Sequence, residues 1–170
     1  MTGDYFSHLI AQYRSKGLLI DSNLLLLYFI GSFDPERIGT FKRTHSRGFT
    51  PDDFDLLLEL LMPFSAVVTT PNILTEVSNL SNQLRDDEKR AYYSIFSDTA
   101  GLLTERYTES KRICALEHFK KFGLTDSGII SLAKDNYLVL TDDAPLVGYL
   151  QSTGIDVINF NHLRSLTWGN

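Results

Sequence analysis

A three-layer α/β/α sandwich around a mostly parallel central sheet is the architecture this sequence predicts, and three observations carry that reading. Short, largely aliphatic runs at Leu18–Ile20, Ala66–Thr69, Tyr137–Leu140 and Val157–Phe160 alternate with longer segments of helical apolar period. Runs of that kind suit strands buried on both faces, as in a parallel sheet covered by helices on each side. Acidic residues follow several of these runs: Asp21 closes the first, Asp142 and Asp143 the third, and Glu76 trails the second. In open α/β sheets ligands bind at the carboxyl ends of the strands.

The elements follow in order. Tyr5, Phe6, Leu9, Ile10 and Tyr13 repeat at helical spacing, so a helix over about Asp4 to Ser15 precedes the first strand. Gly17 punctuates the join, and Asp21-Ser22-Asn23 caps a helix through Leu24 to Ile30. Gly31 to Thr50 reads as irregular and locally basic. Thr50 is then an N-cap with Pro51 in the first turn, and Leu56, Leu57, Leu60 and Leu61 form the buried stripe. Thr70-Pro71 repeats the same signal after the second strand, ahead of a helix burying Ile73, Val77, Leu80 and Leu84. Helical patterns at about Asp87–Glu105 and Ser110–Phe122 follow, the latter ended by Gly123. A helix from Asp126, the third strand, a helix over Ala144 to Gln151 stopped by Gly154, and the last strand complete the chain.

At 170 residues and 43% hydrophobic the chain supports one core, and a single domain over residues 1–170 is expected. A net charge of -5 argues against coating nucleic acid by bulk attraction but leaves room for local basic patches. The lone Cys114 permits neither an intrachain disulfide nor a cysteine zinc cage, so the reducing cytoplasm is the expected location. The N-terminus lacks the basic and apolar regions of a signal peptide. Leu24 to Ile30 falls far short of the about 20 apolar residues that span a bilayer, so no membrane partner is expected.

Each acid has a bland explanation. Asp21 and Asp126 occupy N-cap positions, where Asp contributes about 1 kcal/mol with no function, and one of Asp142 and Asp143 can cap the helix that follows. Glu76 is different: with Pro71 first in its helix it lies beyond the first turn, unable to cap, between Ile73 and Leu80 at the edge of the buried stripe. A carboxylate there needs a partner or a cation. Acids gathered in one pocket repel, which makes physical sense chiefly around a metal ion.

The series Leu18-Leu-Ile-Asp21-Ser-Asn23, Thr70-Pro-Asn-Ile-Leu-Thr-Glu76-Val, Leu124-Thr-Asp126-Ser-Gly-Ile-Ile-Ser-Leu-Ala133 and Val139-Leu-Thr-Asp142-Asp143-Ala-Pro-Leu146 resembles the PIN-domain ribonucleases in order and spacing, over nearly the whole chain. The resemblance implies a PIN-like fold in which Asp21, Glu76, Asp126 and Asp143 are the metal-holding catalytic acids, with Thr141 and Asn23 matching the family's threonine and asparagine. The middle of the Thr-x-Asp pattern is itself acidic, so Asp142 competes with Asp143 for the metal, and the spacing favours Asp143. The Gly31–Thr50 and Asp87–Phe122 segments make the chain larger than the smallest toxin members of that family.

Oxygen-only ligands select Mg2+ or Mn2+, and His8, His45, His118 and His162 fall outside the motifs. The resemblance then implies metal-dependent endonucleolytic cleavage of RNA, with Ser22, Asn23 or Thr141 orienting a water or phosphate. Arg37, Lys42, Arg43 and Arg47, together with Lys111 and Arg112, are candidate phosphate contacts, and Phe33, Phe41 or Phe49 a base-stacking platform; solvated faces are the competing explanation. The family further suggests a toxin-antitoxin or other defence setting, an inhibitory partner such as an antitoxin, and a homodimer. A haloacid-dehalogenase phosphatase wants Asp where Asn23 stands, and a phosphoacceptor domain wants its paired acids early rather than at Asp142-Asp143. A DNA nuclease and a non-catalytic PIN-like scaffold are the alternatives that survive.

Overall fold

Every strand pairing in the sheet is parallel. The structure, a computed structural model, describes residues 2–167; Met1 and residues 168–170 lie outside that range. The strands β1 (Leu18–Ile20), β2 (Val67–Thr69), β3 (Thr104–Glu105), β4 (Leu138–Thr141) and β5 (Val157–Asn159) form one sheet in the order β3-β2-β1-β4-β5. Leu18 registers against Val67 on one side and Leu138 on the other, and Leu19 against Val68 and Val139. All residues of β1 and β4 are buried, as their aliphatic runs require.

Helix α1 (Thr2–Tyr13) leads into β1, and α2 (Ser22–Phe33) follows it. A 3-10 turn (Pro35–Arg37), α3 (Lys42–Ser46) and α4 (Pro51–Leu61) connect to β2. Then come α5 (Pro71–Ser81), α6 (Asp86–Ala100), α7 (Ser110–Cys114), α8 (Phe119–Ala133), α9 (Ala144–Ser152) and α10 (Phe160–Thr167). Helix α2 packs with α4, α5 and α6, whereas α8 packs with α9 and β4. Right-handed crossovers put these two groups on opposite faces of the sheet, giving the three layers.

Helix α2 buries Leu24, Leu25, Leu26, Leu27, Phe29 and Ile30 together, as a helix surrounded by others must. Its Gly31 admits the Phe54 ring, which a Cβ there would meet at 2.3 Å. Caps stand where the sequence places them. Thr50 and Asp53 form a capping box, Thr70 accepts from the Ile73 amide, and Asp21 and Asp143 accept from Leu24 and Leu146. One apolar cluster extends from Leu9 to Phe160.

Several boundaries differ from the sequence reading. Gly31–Thr50 is not irregular throughout, since it contains the 3-10 turn and α3. The Asp87–Glu105 pattern ends at Ala100 and yields the edge strand β3, while Ser110–Phe122 breaks after Cys114. Gly123 does end the helical run that begins at Phe119, as expected. It interrupts α8 at φ 75°, a conformation that favours glycine, and redirects the chain toward Asp126. Phe160 starts α10 instead of ending β5. In α4 Phe54 replaces Leu56 in the fully buried stripe, and Leu84 is buried beyond the end of α5. Among the described residues no helix is long and apolar enough to cross a membrane.

Candidate functional site

The strand order reverses at β1: the chain moves outward to β2 and β3, then returns to place β4 on β1's other side. Such a switch point leaves a crevice beyond the carboxyl ends of the two central strands. Here β1 ends in Asp21, whose amide donates to Leu140 O at 3.1 Å, and β4 ends in Thr141, Asp142 and Asp143. The crevice, about 350 Å3, is lined by Asp21, Glu76, Asp126 and Asp143 with Ser22, Asn23, Arg43 and Thr125, over an apolar floor of Leu80, Phe122 and Leu124. Four acids spread over most of the chain therefore share one cleft.

Their hydrogen bonding divides them. Asp21 is buried and heavily engaged: Oδ1 accepts from the Leu24 amide at 2.9 Å, and Oδ2 accepts from the Asp142 amide at 3.1 Å and from the Thr141 hydroxyl. Thr141 Oγ1 in turn accepts from the Asp143 amide at 3.0 Å, so one threonine ties the first acid to the last. Glu76 is gripped from two sides, by Ser22 Oγ at 2.6 Å and Thr125 Oγ1 at 2.5 Å. Asp143 gives Oδ1 to the Leu146 amide at 2.9 Å and keeps its second oxygen. Asp126 has no hydrogen-bond partner among the described residues, and it caps no helix.

Burial raises the Asp126 carboxyl from 3.8 to about 6, reinforced by the charges of Asp143 and Glu76. Burial also pushes Asp21 upward, with the Asp142 charge adding to it, against the hydrogen bond from Thr141. An acid whose folded pKa is raised holds its proton longer in the native state, so ionising it destabilises the fold. For Asp126 that loss begins above 3.8 and is complete above about 6. Wild type is therefore expected to lose stability relative to Asp126→Asn as the pH of metal-free urea unfolding rises from about 4 to about 7. A difference that stays flat across this window contradicts the raised value.

Among the described residues no group of three His, Cys, Asp or Glu side chains stands close enough together to hold a metal ion. This geometry still suits a hard cation. Mg2+ keeps several waters and is commonly held by one or two carboxylates plus substrate phosphate, unlike zinc or calcium in an all-protein cage. The unpartnered Asp126 carboxylate and the free oxygen of Asp143 supply such donors in the cleft that Glu76 and Asp21 also line.

Asp142 is corrected as a metal candidate. Its side chain is buried away from the acid cleft, paired with Arg47 and accepting from Asn23 Nδ2 at 3.1 Å, because successive residues leaving a strand point to opposite sides. The basic candidates separate as well. Arg37 pairs with Glu88 at 2.8 Å, Lys111 and Arg112 pair with Glu109 at 3.3 and 3.4 Å, and Arg47 is committed to Asp142, so none of these four stands free in the cleft. Lys42 is exposed on α3 and does not line it. Arg43 does. The stacking platform is also corrected: Phe41 and Phe49 are buried, and Phe33 packs edge-on against Tyr92 with centroids 5.8 Å apart.

Ser22, Asn23 and Thr141 each touch an acid, on Glu76, Asp142 and Asp21 respectively. Thr125 escaped the sequence reading. Its only signal is its place immediately before Asp126, and its bond to Glu76 depends on the chain reversal at Gly123. No family model matches this chain, and no curated protein matches it.

Proposed function

We propose that this chain is a divalent-metal-dependent endoribonuclease of the PIN type, hydrolysing phosphodiester bonds in RNA. The observation that carries the proposal is the convergence of Asp21, Glu76, Asp126 and Asp143 on one cleft at the switch point, with Asp126 left half-buried and without a donor. A carboxylate in that condition is costly unless something positive joins it.

Asp126 and Asp143 present the free oxygens that would hold Mg2+ or Mn2+, while Glu76 and Asp21 complete the acidic wall. An ion held by these residues would supply an activated water and neutralise charge on the phosphodiester. Ser22 and Thr125 fix Glu76 in one orientation, and Thr141 keeps Asp21 and the start of α9 in register. The attacking water would give up its proton to solvent, since a carboxylate that holds the ion is no longer the proton acceptor it is in the metal-free protein. The leaving oxygen departs as the P–O bond breaks, and takes a proton from solvent at the open mouth of the cleft.

A toxin-antitoxin or other defence setting, with an inhibitory partner protein and a homodimer, belongs to the same reading through the sequence resemblance. The test is cleavage of matched RNA and DNA oligonucleotides by purified protein, with Mg2+ or Mn2+ and with excess EDTA. RNA cleavage that appears with the ion and vanishes with EDTA is the expected result. Activity persisting in EDTA rejects the mechanism, preferential cutting of DNA transfers the proposal to a DNA nuclease, and RNA binding without cleavage makes the chain a scaffold.

A further inference from the structure

We infer that Arg43 grips the phosphate of the bound strand, and that the strand continues from the acid cleft past Asp143 into a second cavity. The inference rests on the nuclease reading and specifies how that site holds its substrate. Arg43 lines the acid cleft, yet among the described residues its guanidinium makes no ion pair. Its Nε and Nη2 both donate to Asn23 Oδ1, at 3.1 and 2.9 Å, and Nη1 has no hydrogen-bond partner there.

Asn23 cannot turn its carbonyl elsewhere without loss, because its amide nitrogen donates to Asp142 Oδ1 at 3.1 Å and Asp142 is itself anchored by Arg47. The chain Arg47, Asp142, Asn23, Arg43 thus holds a positive head in place through a neutral amide, without an ion pair among the described residues. The other arginines of this segment, Arg37 and Arg47, are each neutralised by a carboxylate. A pre-oriented guanidinium fork with free donors matches the oxygens of a phosphodiester. It also offsets the repulsion that four acids exert on a polyanion.

The second cavity, about 410 Å3, shares Asp143 with the first and is walled by Ser46, Arg47, Asp142, Pro145 and Asn161. Arg47 neutralises the Asp142 carboxylate in that wall. A strand with its scissile phosphate beside Arg43 has this cavity as the continuation of its path. Arg43 and Arg47, four residues apart across the end of α3, flank the crossing on the same side.

Fluorescence anisotropy with short single-stranded RNAs of two unrelated sequences, with Ca2+ replacing Mg2+, tests this across a salt series. Arg43→Gln is expected to weaken both RNAs equally, by about tenfold, and to lower the slope of log affinity against log salt by about 0.7. Mn2+-induced stabilisation should not fall, since Arg43 holds no metal. Arg43→Lys keeps the charge but loses the two-nitrogen grip on Asn23, and recovery of the salt slope in that variant supports a phosphate contact. If Lys behaves as Gln, or if Gln binds as wild type does while wild type still cleaves, Arg43 only props Asn23 and the inference fails alone. Wild type that neither binds nor cleaves RNA overturns the nuclease reading with it. For the path, Ser46→Glu should weaken binding of the same RNAs; unchanged binding confines the strand to the first cleft.

Discussion

Asp143→Asn is expected to lower kcat/KM for RNA by more than about 100-fold, beyond the roughly 10- to 100-fold that groups behind a metal ligand typically contribute. The fold should hardly notice, because Asp143 caps α9 through one oxygen and Asn caps nearly as well. Asp142→Asn should instead cost stability, with a smaller loss of kcat/KM that comes through the Asn23–Arg43 contact. Its carboxylate is buried against Arg47, and removing one partner of such a pair costs about 3 kcal/mol, the lower end of the usual range because Arg47 is partly exposed. Urea unfolding of both variants beside their cleavage kinetics separates the two roles. If Asp142→Asn proves the more damaging to catalysis in fully folded protein, the metal lies on the Arg47 side of β4.

Asp126→Asn is expected to abolish cleavage while leaving the metal-free protein as stable as wild type or more so. The carboxylate removed has no hydrogen bond to lose, and its charge is opposed by Asp143 and Glu76. Wild type should gain about 2.7 kcal/mol when Mn2+ is present at 100 times its Kd, since the ion binds the folded state alone. The variant should gain much less. Melting temperatures with and without Mn2+ decide the matter, and a wild type that ignores the ion and leaves RNA intact sinks the metal-nuclease account in favour of a PIN-like scaffold.

How far the fold could be read in advance depends on where each signal resides. β1 and β4 are continuous aliphatic runs bounded by Gly17, Asp21 and Asp142, and α4 and α5 open on Thr-Pro pairs, so local chemistry marks them. Helix α3 has five residues, no side-chain cap bond and one buried side chain, which leaves no period to recognise. β3 is a two-residue edge strand whose partner, β2, decides its existence. α10 begins where β5 ends, with no turn residue between them. At the site, Asp21 and Asp143 were legible because each sits at an element boundary, and Glu76 because, inside α5, it is placed where it cannot cap. The spacing also favoured Asp143 over Asp142; what it could not show is the partner that holds Asp142 aside, Arg47, 95 positions away. Likewise nothing local distinguishes Arg43 from Arg37; only the folded chain shows that Glu88 neutralises one and Asn23 merely holds the other.

The bond between Thr141 and Asp21 joins residues 120 positions apart, and β4 pairs with the first strand made. Parallel pairing over that separation is intrinsically slow, since the loop must close before the contact rewards it. A nascent chain that has released β1, β2 and α8 from the ribosome already carries Asp21, Glu76 and Asp126. It lacks the strand that brings Asp143 beside them. In the native sheet that edge of β1 is covered by residues 138–141 alone, so the docking of this one strand both buries β1 and brings Asp143 to the cleft that Asp21, Glu76 and Asp126 line.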